Sequence, residues 1–224
     1  MVQLKKISKI IRLLEKEYGT PKFDHFNDPL EQLILTVLSQ NTSWQNCRRA
    51  FDNLKHRFEN WEEVMTSNVN RIETAIKPGG LGKIKARRIR SILRELWKIK
   101  GSLNLNFLSE MNSSEGLKFL NSFKGIGPKT AACVLLFSCK KPVLPVDTHI
   151  LRVTKRLGLI GTNTNLVQAH ELLGQIVPQD NVLSFHINTI QHGRKICKAQ
   201  KPRCPICMLK SECTFFRAQN IRNI

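Results

Sequence analysis

The chain has 224 residues, and its 36 Lys and Arg residues outnumber its 17 Asp and Glu residues to give a formal net charge of +19. Such an excess predicts a polyanionic partner, because neutralising phosphates releases condensed counterions. No apolar run approaches the roughly 18 residues needed to span a bilayer, which argues against an integral membrane protein. The first residues lack the apolar core and cleavage site of a secretory signal, so we expect a cytoplasmic, nucleoid-associated protein in a prokaryote or a nuclear one in a eukaryote.

Helical periodicity dominates the chain, and no convincing period-two alternation indicates a strand, so the predicted fold class is all-α. A first amphipathic helix ends before Gly19. Its predicted buried face consists of Leu4, Ile7, Ile10, Ile11 and Leu14. Asp28 and Ser43 are predicted N-caps of the next two helices. A long helix is predicted to end at Gly101. Further helices are predicted at residues 61–65, 69–76, 114–122, 128–139, 147–157 and 165–177.

Basic residues are locally dense at residues 83–90 and 194–203, and we interpret these stretches as parts of a folded binding face. Residues 140–145 are the best candidate for a lobe boundary, because Pro142 and Pro145 interrupt the helical pattern there. This boundary lies between two motifs, at residues 125–131 and 145–149, that contain the candidate catalytic residues.

The first motif is Gly125-Ile126-Gly127-Pro128-Lys129-Thr130-Ala131, a turn that opens onto a predicted helix. Glycine permits positive φ and close approach of another backbone. Free amides at the start of the helix can bind an anion such as phosphate. For the two glycines alone an ordinary turn between helices is the more common explanation, so the interpretation depends on the residues around them.

Lys129 is the candidate nucleophile of this motif. Pro128 suits the first helical position, which puts Lys129 in the first turn. The positive end of a helix dipole disfavours a charged ammonium, and an unprotonated lysine amine can attack carbon to form a Schiff base. A surface lysine that contacts phosphate is the alternative.

The second motif is Pro145-Val146-Asp147-Thr148-His149. Asp147 is predicted to cap the following helix, and the fixed negative charge of a capping carboxylate can also stabilise a cationic transition state. His149 suits either a proton-transfer group or a simple hydrogen-bond donor beside a phosphate.

The last motif is a cysteine loop. Seven cysteines is an odd number, and four of them, Cys197, Cys204, Cys207 and Cys213, follow the pattern C-x6-C-x2-C-x5-C. This clustering predicts a metal site and argues against a secreted disulfide framework. Zinc and an iron–sulfur cluster both accept four cysteines; the single close pair modestly favours iron–sulfur.

Over nearly its full length the chain resembles the endonuclease III branch of the helix-hairpin-helix DNA glycosylase superfamily. The resemblance is carried by residues 38–42 (Leu-Ser-Gln-Asn-Thr), Gly80-Leu81, residues 125–131, residues 146–150, His192-Gly193 and the cysteine loop. It implies a two-lobed fold, with a six-helix lobe containing the hairpin at residues 22–141. Residues 1–21 and 142–224 would form a second helical lobe that carries a [4Fe-4S] cluster.

The resemblance also implies roles for single residues. Lys129 matches the family nucleophile and Asp147 its essential carboxylate. Gln40 and Leu81 match residues that fill the gap left by an extruded nucleotide, and His149 matches a residue near the strand backbone. Gly125, Gly127 and Thr130 would contact DNA through the hairpin, and the four loop cysteines would ligate the cluster.

The implied activity is that of a bifunctional DNA glycosylase and abasic-site lyase. It would act as a monomer on double-stranded DNA, remove oxidised pyrimidines such as thymine glycol, and nick the strand 3′ to the abasic site by β-elimination. Three positions depart from the family pattern and bear on the substrate range: Gly82-Lys83-Ile84 replaces Tyr-Asn-Ser, Pro128 replaces a basic residue, and Ser43 replaces an aspartate.

Other functions are compatible with parts of the pattern. An adenine-DNA glycosylase is disfavoured, because its catalytic glutamate would fall at Thr36 and it lacks the lysine at position 129. A uracil or thymine mismatch glycosylase tends to carry tyrosine at position 129, whereas a 5-methylcytosine glycosylase shares both the lysine and the cluster. A catalytically silent DNA-binding protein with a cluster is the alternative from a different class.

Overall fold

The computed structural model describes residues 2–22 and 28–221. Their regular structure is α-helix with short 3₁₀ segments and no strand, which confirms the all-α prediction. Within this described part of the chain, every helix is too short or too polar to cross a membrane. The same residues form two compact units: a continuous unit of residues 28–141, and a discontinuous unit of residues 2–22 and 142–221.

The described part of the continuous unit has seven α-helices, two of which are short and are separated by the extended residues Ser67 and Asn68. The core centres on α2, nine of whose ten residues are buried. Helix α2 packs against α3, α6 and α8. The helices are α2 (Pro29–Leu38), α3 (Trp44–Arg57), α4 (Trp61–Thr66), α5 (Val69–Ile76), α6 (Gly82–Lys100), α7 (Ser113–Ser122) and α8 (Pro128–Phe137).

Local capping chemistry sets several helix starts. The Asp28 carboxylate accepts hydrogen bonds from the amides of Leu30 and Glu31 at 2.7 and 2.9 Å. The Ser43 hydroxyl accepts from the amide of Asn46 at 3.2 Å. Both predicted N-caps are therefore confirmed. Such a cap stabilises a helix by about 1 kcal/mol, since it satisfies amides that the helix leaves without partners.

The discontinuous unit is built around α11, which packs against α1 and α9. Its helices are α1 (Val2–Tyr18), α9 (Thr148–Leu157), α10 (Leu166–Ile176), α11 (Val182–Lys195) and α12 (Thr214–Ile221). Neither α11 nor α12 was predicted from the sequence. The predicted buried face of α1 is correct except at Leu4, which is 53% exposed.

Two further predictions need correction. Helix α8 ends at Phe137 and not at residue 139, because the chain turns at Lys140 (φ +53°) and the amide of Lys141 returns to the carbonyl of Leu135. The basic stretch at residues 83–90 is not a uniform binding face, since Lys85 within it is only 1% exposed.

Candidate functional site

The glycine hairpin joins α7 to α8 within the continuous unit. Gly125 has φ +87°, a conformation that favours glycine, whereas Gly127 is extended at φ −103° and ψ 175°. The amide of Ile126 donates to the carbonyl of Phe123 at 3.0 Å and closes the turn. Gly127 precedes Pro128 and has no side chain to cap α8. The amides at the start of α8 are therefore not capped by the residue that precedes the helix.

Lys129 is half-buried in the first turn of α8, as predicted, and Thr130 beside it is buried. The positive charge of Lys129 acts on the buried thiol of Cys47. Burial raises the pKa of that thiol to about 11, and the charges of Lys85, Arg48 and Lys129 oppose the rise. The thiol near Lys129 therefore stays neutral around neutral pH.

Gln40 lies in the turn that follows α2, and Leu81 lies in the turn that precedes α6. Leu81 has a left-handed backbone at φ +51° and ψ 35°, and its side chain is 50% exposed. The residue after Gln40, Asn41, is exposed and also has a positive φ of +52°. A left-handed backbone costs a residue other than glycine about 1–2 kcal/mol, so the surrounding structure must hold both turns in place.

Lys85 supplies this support. Its buried ammonium donates to the carbonyls of Leu38 and Gly79 at 2.7 and 2.8 Å. These carbonyls stand two residues before Gln40 and two before Leu81, so a single side chain ties both turns to α6. Burial lowers the pKa of Lys85 below its ordinary 10.5, the positive charge of Arg88 acts the same way, and the thiol of Cys47 opposes the shift.

Asp147 occupies the N-cap of α9 in the discontinuous unit, as predicted. Its carboxylate accepts a hydrogen bond from the amide of Ile150 at 2.8 Å. The side chain is half-buried, so the carboxylate is fixed by the helix without being sealed from its surroundings.

His149 is held by Arg152. An arginine can only donate, so the contact of 3.1 Å between Arg152 Nη2 and His149 Nδ1 makes Nδ1 the acceptor and leaves the hydrogen on Nε2. Burial lowers the pKa of His149, Arg152 and Arg194 lower it further, and Asp147 opposes them. A Cβ on Gly193 would lie 3.1 Å from the Cβ of His149, so this glycine allows α11 to approach α9 closely.

The four loop cysteines, Cys197, Cys204, Cys207 and Cys213, all line one cavity of the discontinuous unit. Apolar side chains form much of the remaining wall: Val153, Leu157, Ile196, Leu209, Phe215 and Phe216. Among residues 2–22 and 28–221, no group of three or more His, Cys, Asp or Glu side chains is arranged to hold a single metal ion. Four thiols that share one enclosed, mostly apolar cavity fit a cysteine-ligated cluster.

The thiols also interact with their surroundings. Burial raises the pKa of Cys207 to about 11, and the neighbouring thiols of Cys197, Cys213 and Cys204 add to the rise. Arg156 reaches the sulfur of Cys197 at 3.4 Å and the carbonyls of Lys198 and Ala199 at 2.6 and 3.0 Å. The loop is therefore anchored to α9 through Arg156, and Arg152 adds a hydrogen bond to the carbonyl of Cys197 at 3.0 Å.

Sequence reasoning missed Lys85, Arg88, Arg152 and Arg156. Each belongs to a helix with many basic residues, and its burial and long-range hydrogen bonds distinguish it from a surface cation. A weak signal existed for Lys85, because Lys85, Ile89 and Ile92 are at positions i, i+4 and i+7 and therefore share one helical face, on which both isoleucines are buried.

Comparison with known proteins identifies the family. The model of the HhH-GPD superfamily of base excision DNA repair proteins matches residues 34–179. A candidate DNA glycosylase of Arabidopsis thaliana is 38% identical over 75% of this chain, which spans only 57% of the plant protein. Endonuclease III of Thermotoga maritima is 33% identical over 94% of this chain and 93% of that enzyme.

A solved structure of a trapped covalent endonuclease III–DNA intermediate, with an estranged adenine, has a TM-score of 0.81 to this chain. It is 26% identical, and the alignment covers 97% of this chain and 98% of that one. These matches extend beyond the hairpin to nearly the whole chain. The chain therefore belongs to the endonuclease III family of the HhH-GPD superfamily and is a DNA glycosylase of base excision repair.

Proposed function

We propose that this protein is a bifunctional glycosylase and abasic-site lyase that removes oxidised pyrimidines such as thymine glycol from double-stranded DNA. The observation that carries the proposal is a half-buried lysine, Lys129, in the first turn of a helix that follows the glycine hairpin. The trapped covalent endonuclease III–DNA intermediate supports a covalent route. One copy of the chain would act on one damaged site.

In the proposed reaction the damaged base leaves the stack, at a cost that is smaller than for an intact pair. The Nζ atom of Lys129 forms a bond to C1′ as the bond from C1′ to the base breaks, and the base departs with the electron pair and takes up a proton. The negative charge of Asp147 stabilises the positive charge that develops on the sugar. Nζ then loses a proton, the C1′–O4′ bond breaks with O4′ taking up a proton, and the nitrogen lone pair forms the C=N bond of the Schiff base. The Schiff base acidifies the hydrogen on C2′, and loss of this proton breaks the C3′–O bond and expels the 3′ phosphate with the electron pair.

DNA contacts are proposed for both units. The hairpin of Gly125, Gly127 and Thr130 would bind a phosphate through backbone amides, because Gly127 leaves α8 without a side-chain cap. Gln40 and Leu81 would fill the gap left by the extruded nucleotide, and the exposed Leu81 side chain suits an apolar wedge. His149 would donate from Nε2 to the strand backbone.

We further propose that Cys197, Cys204, Cys207 and Cys213 hold a [4Fe-4S] cluster. When bound, the cluster would supply a rigid iron–sulfur core that orders the loop. The purified protein is expected to show the visible absorption of an iron–sulfur protein and to contain iron. Metal analysis that finds only zinc would refute this assignment.

Borohydride trapping on labelled abasic-site DNA tests the role of Lys129. The wild type is expected to become covalently attached to the DNA, and Lys129→Ala is expected to lose the adduct, since only a Schiff base is reduced to a stable amine. Lys124→Ala is the matched control: this exposed lysine stands before the same hairpin, and its removal should leave trapping in place. Trapping that survives Lys129→Ala would remove Lys129 from its proposed role.

Substitution of Asp147 separates capping from catalysis. Asparagine caps a helix as well as aspartate does but carries no charge. Asp147→Asn should therefore keep stability and DNA affinity while slowing single-turnover base release by about 100-fold or more. Asp28→Asn, which changes the equivalent cap of α2, should leave the rate unchanged. If the two variants release the base equally fast, Asp147 is only a cap.

A panel of defined lesions tests the substrate class. We expect thymine glycol to be released faster than uracil or 5-methylcytosine from otherwise identical duplexes. Faster release of 5-methylcytosine or of mismatched uracil would replace the oxidised-pyrimidine proposal by the corresponding alternative while leaving the lyase chemistry intact.

A further inference from the structure

Arg88 contacts both the turn of Gln40, which is proposed to fill the gap in the duplex, and the glycine hairpin, which is proposed to bind a phosphate. Its Nη1 atom donates to the Oε1 atom of Gln40 at 2.6 Å. Its side chain also lies against the hairpin, because a Cβ on Gly125 would come within 2.5 Å of Arg88 Nε and 3.1 Å of Cδ. One half-buried side chain thus touches both the turn of Gln40 and the glycine hairpin.

This contact fixes the orientation of the Gln40 amide. A guanidinium has five donors and no acceptor, so the amide must turn its oxygen toward Arg88. Arg88 occupies one lone pair of Oε1 and draws that atom toward itself, so the two hydrogens on Nε2 are the groups that face away from Arg88. An amide held in this way can donate to DNA, whereas a free amide can rotate and either donate or accept.

The backbone of the same turn is held by the same helix. Lys85 stands three residues before Arg88 on α6 and donates to the carbonyl of Leu38. The backbone before Gln40 and the side chain of Gln40 are therefore both fixed from one face of α6. This double attachment limits the ways in which the amide could adapt to a different base.

We propose that Arg88 determines which base is preferred opposite the damaged nucleotide. The inference rests on the proposed function, in which Gln40 fills the gap beside the unpaired base. Because Arg88 holds the amide oxygen, Gln40 presents its two hydrogen-bond donors to that base, and bases with an acceptor at that place are favoured. Arg88 is a positioning residue, since it acts through Gln40.

Single-turnover rates on one lesion placed opposite each of the four bases test this inference. The wild type should distinguish the opposite bases, and Arg88→Met should narrow the ratio of the fastest to the slowest rate by about 3–10-fold, the value of one lost hydrogen bond. Methionine keeps an apolar stem over Gly125 while removing every donor. The matched control is Arg87→Met: this neighbour is exposed, so its loss should weaken binding to all four duplexes alike and leave the ratio unchanged.

Two further variants keep the inference testable if Arg88→Met folds poorly. Gln40→Glu keeps the contact with Arg88 but presents no hydrogen to the base, so it should change the ratio without any change at Arg88. The double variant Gln40→Ala/Arg88→Met should have the same ratio as Gln40→Ala alone, because Arg88 would have no amide to orient.

The inference is overturned if the wild type reacts at the same single-turnover rate opposite all four bases. It is also overturned if either Arg88→Met or Gln40→Glu keeps the wild-type ratio of the fastest to the slowest rate. Additive effects of the Gln40 and Arg88 substitutions would also overturn it. Borohydride trapping of the same variants gives a separate result: an adduct in Arg88→Met with an unchanged ratio would refute the role of Arg88 and leave the proposed lyase intact.

Discussion

Both units use basic side chains to hold the loops that carry candidate site residues, but they use different residues to do it. In the continuous unit the fully buried Lys85 donates to the carbonyls of Leu38 and Gly79. In the discontinuous unit the half-buried Arg156 donates to the carbonyls of Lys198 and Ala199 in the cysteine loop. Nearby, Arg152 donates to the carbonyls of Gly193 and Cys197.

The difference follows from the shape of the two cations. An ammonium is a compact charge and suits two carbonyls that converge on one point, whereas the planar fork of an arginine reaches acceptors spread along an extended segment. The comparison also qualifies the net charge of +19, since these cations are engaged with the protein's own backbone. Part of the charge that predicted a polyanionic partner is therefore structural.

The largest effect is expected from Lys85→Met. The substitution preserves most of the volume but leaves two buried carbonyls without a donor, and each such group costs about 1–3 kcal/mol. The free energy of unfolding should therefore fall by about 2–6 kcal/mol in chemical denaturation. Lys83→Met on the same helix is the control, because its exposed side chain should change stability by less than about 0.5 kcal/mol.

Lys85 should also make stability depend on pH. Its pKa in the folded protein is lowered, so between that value and the ordinary 10.5 the unfolded chain binds more protons than the folded one. Stability then rises with pH across this window. The difference between wild type and Lys85→Met should widen as pH approaches 10.5, and a difference that stays constant would contradict the buried, proton-exchanging ammonium.

A smaller effect is expected from Arg156→Met, provided that the cysteine loop holds its proposed cluster. Loss of the bonds to Lys198, Ala199 and the sulfur of Cys197 should loosen the loop around its ligands. Partners that orient metal ligands are worth about 10–100-fold in metal affinity, so iron should be lost to a chelator faster by about that factor. Lys198→Met, which removes an exposed cation from the same loop, should lose iron at the wild-type rate. Equal rates in both variants would make Arg156 irrelevant to the loop.

Much of the fold could be predicted because its signals are local. Asp28, Ser43 and Asp147 each cap a helix that begins immediately after them, and the apolar periodicity of α1 predicted its buried face except at Leu4. The spacing of the cysteines likewise predicted residues that line one cavity. These features involve residues that are close in sequence.

Helix α11 could not be predicted in this way because much of its buried surface is polar. Ser184, Asn188 and His192 are buried on it and bind Glu15, Gly19 and Tyr18 of the N-terminal segment. Apolar periodicity does not reveal a helix whose inward groups are satisfied by residues more than 150 positions away. Lys85 and Arg88 were missed for the same reason, since Leu38 and Gln40, to which they respectively donate, are 47 and 48 residues distant.

The smallest effect is expected at His149, which Arg152 contacts in the discontinuous unit. Arg152→Met removes a positive charge 3.1 Å from Nδ1, so the pKa of His149 should rise toward its ordinary 6.5, which NMR titration of the imidazole would measure. Because the pKa of His149 is lowered in the folded protein, the unfolded chain takes up the proton first as pH falls below 6.5, and the folded protein loses stability. The Arg152→Met variant should lose less stability than the wild type over the same pH range. Arg156→Met, one turn further along α9, should leave the titration of His149 in place. If both variants shift it equally, the effect comes from a disturbed α9 and not from the charge of Arg152.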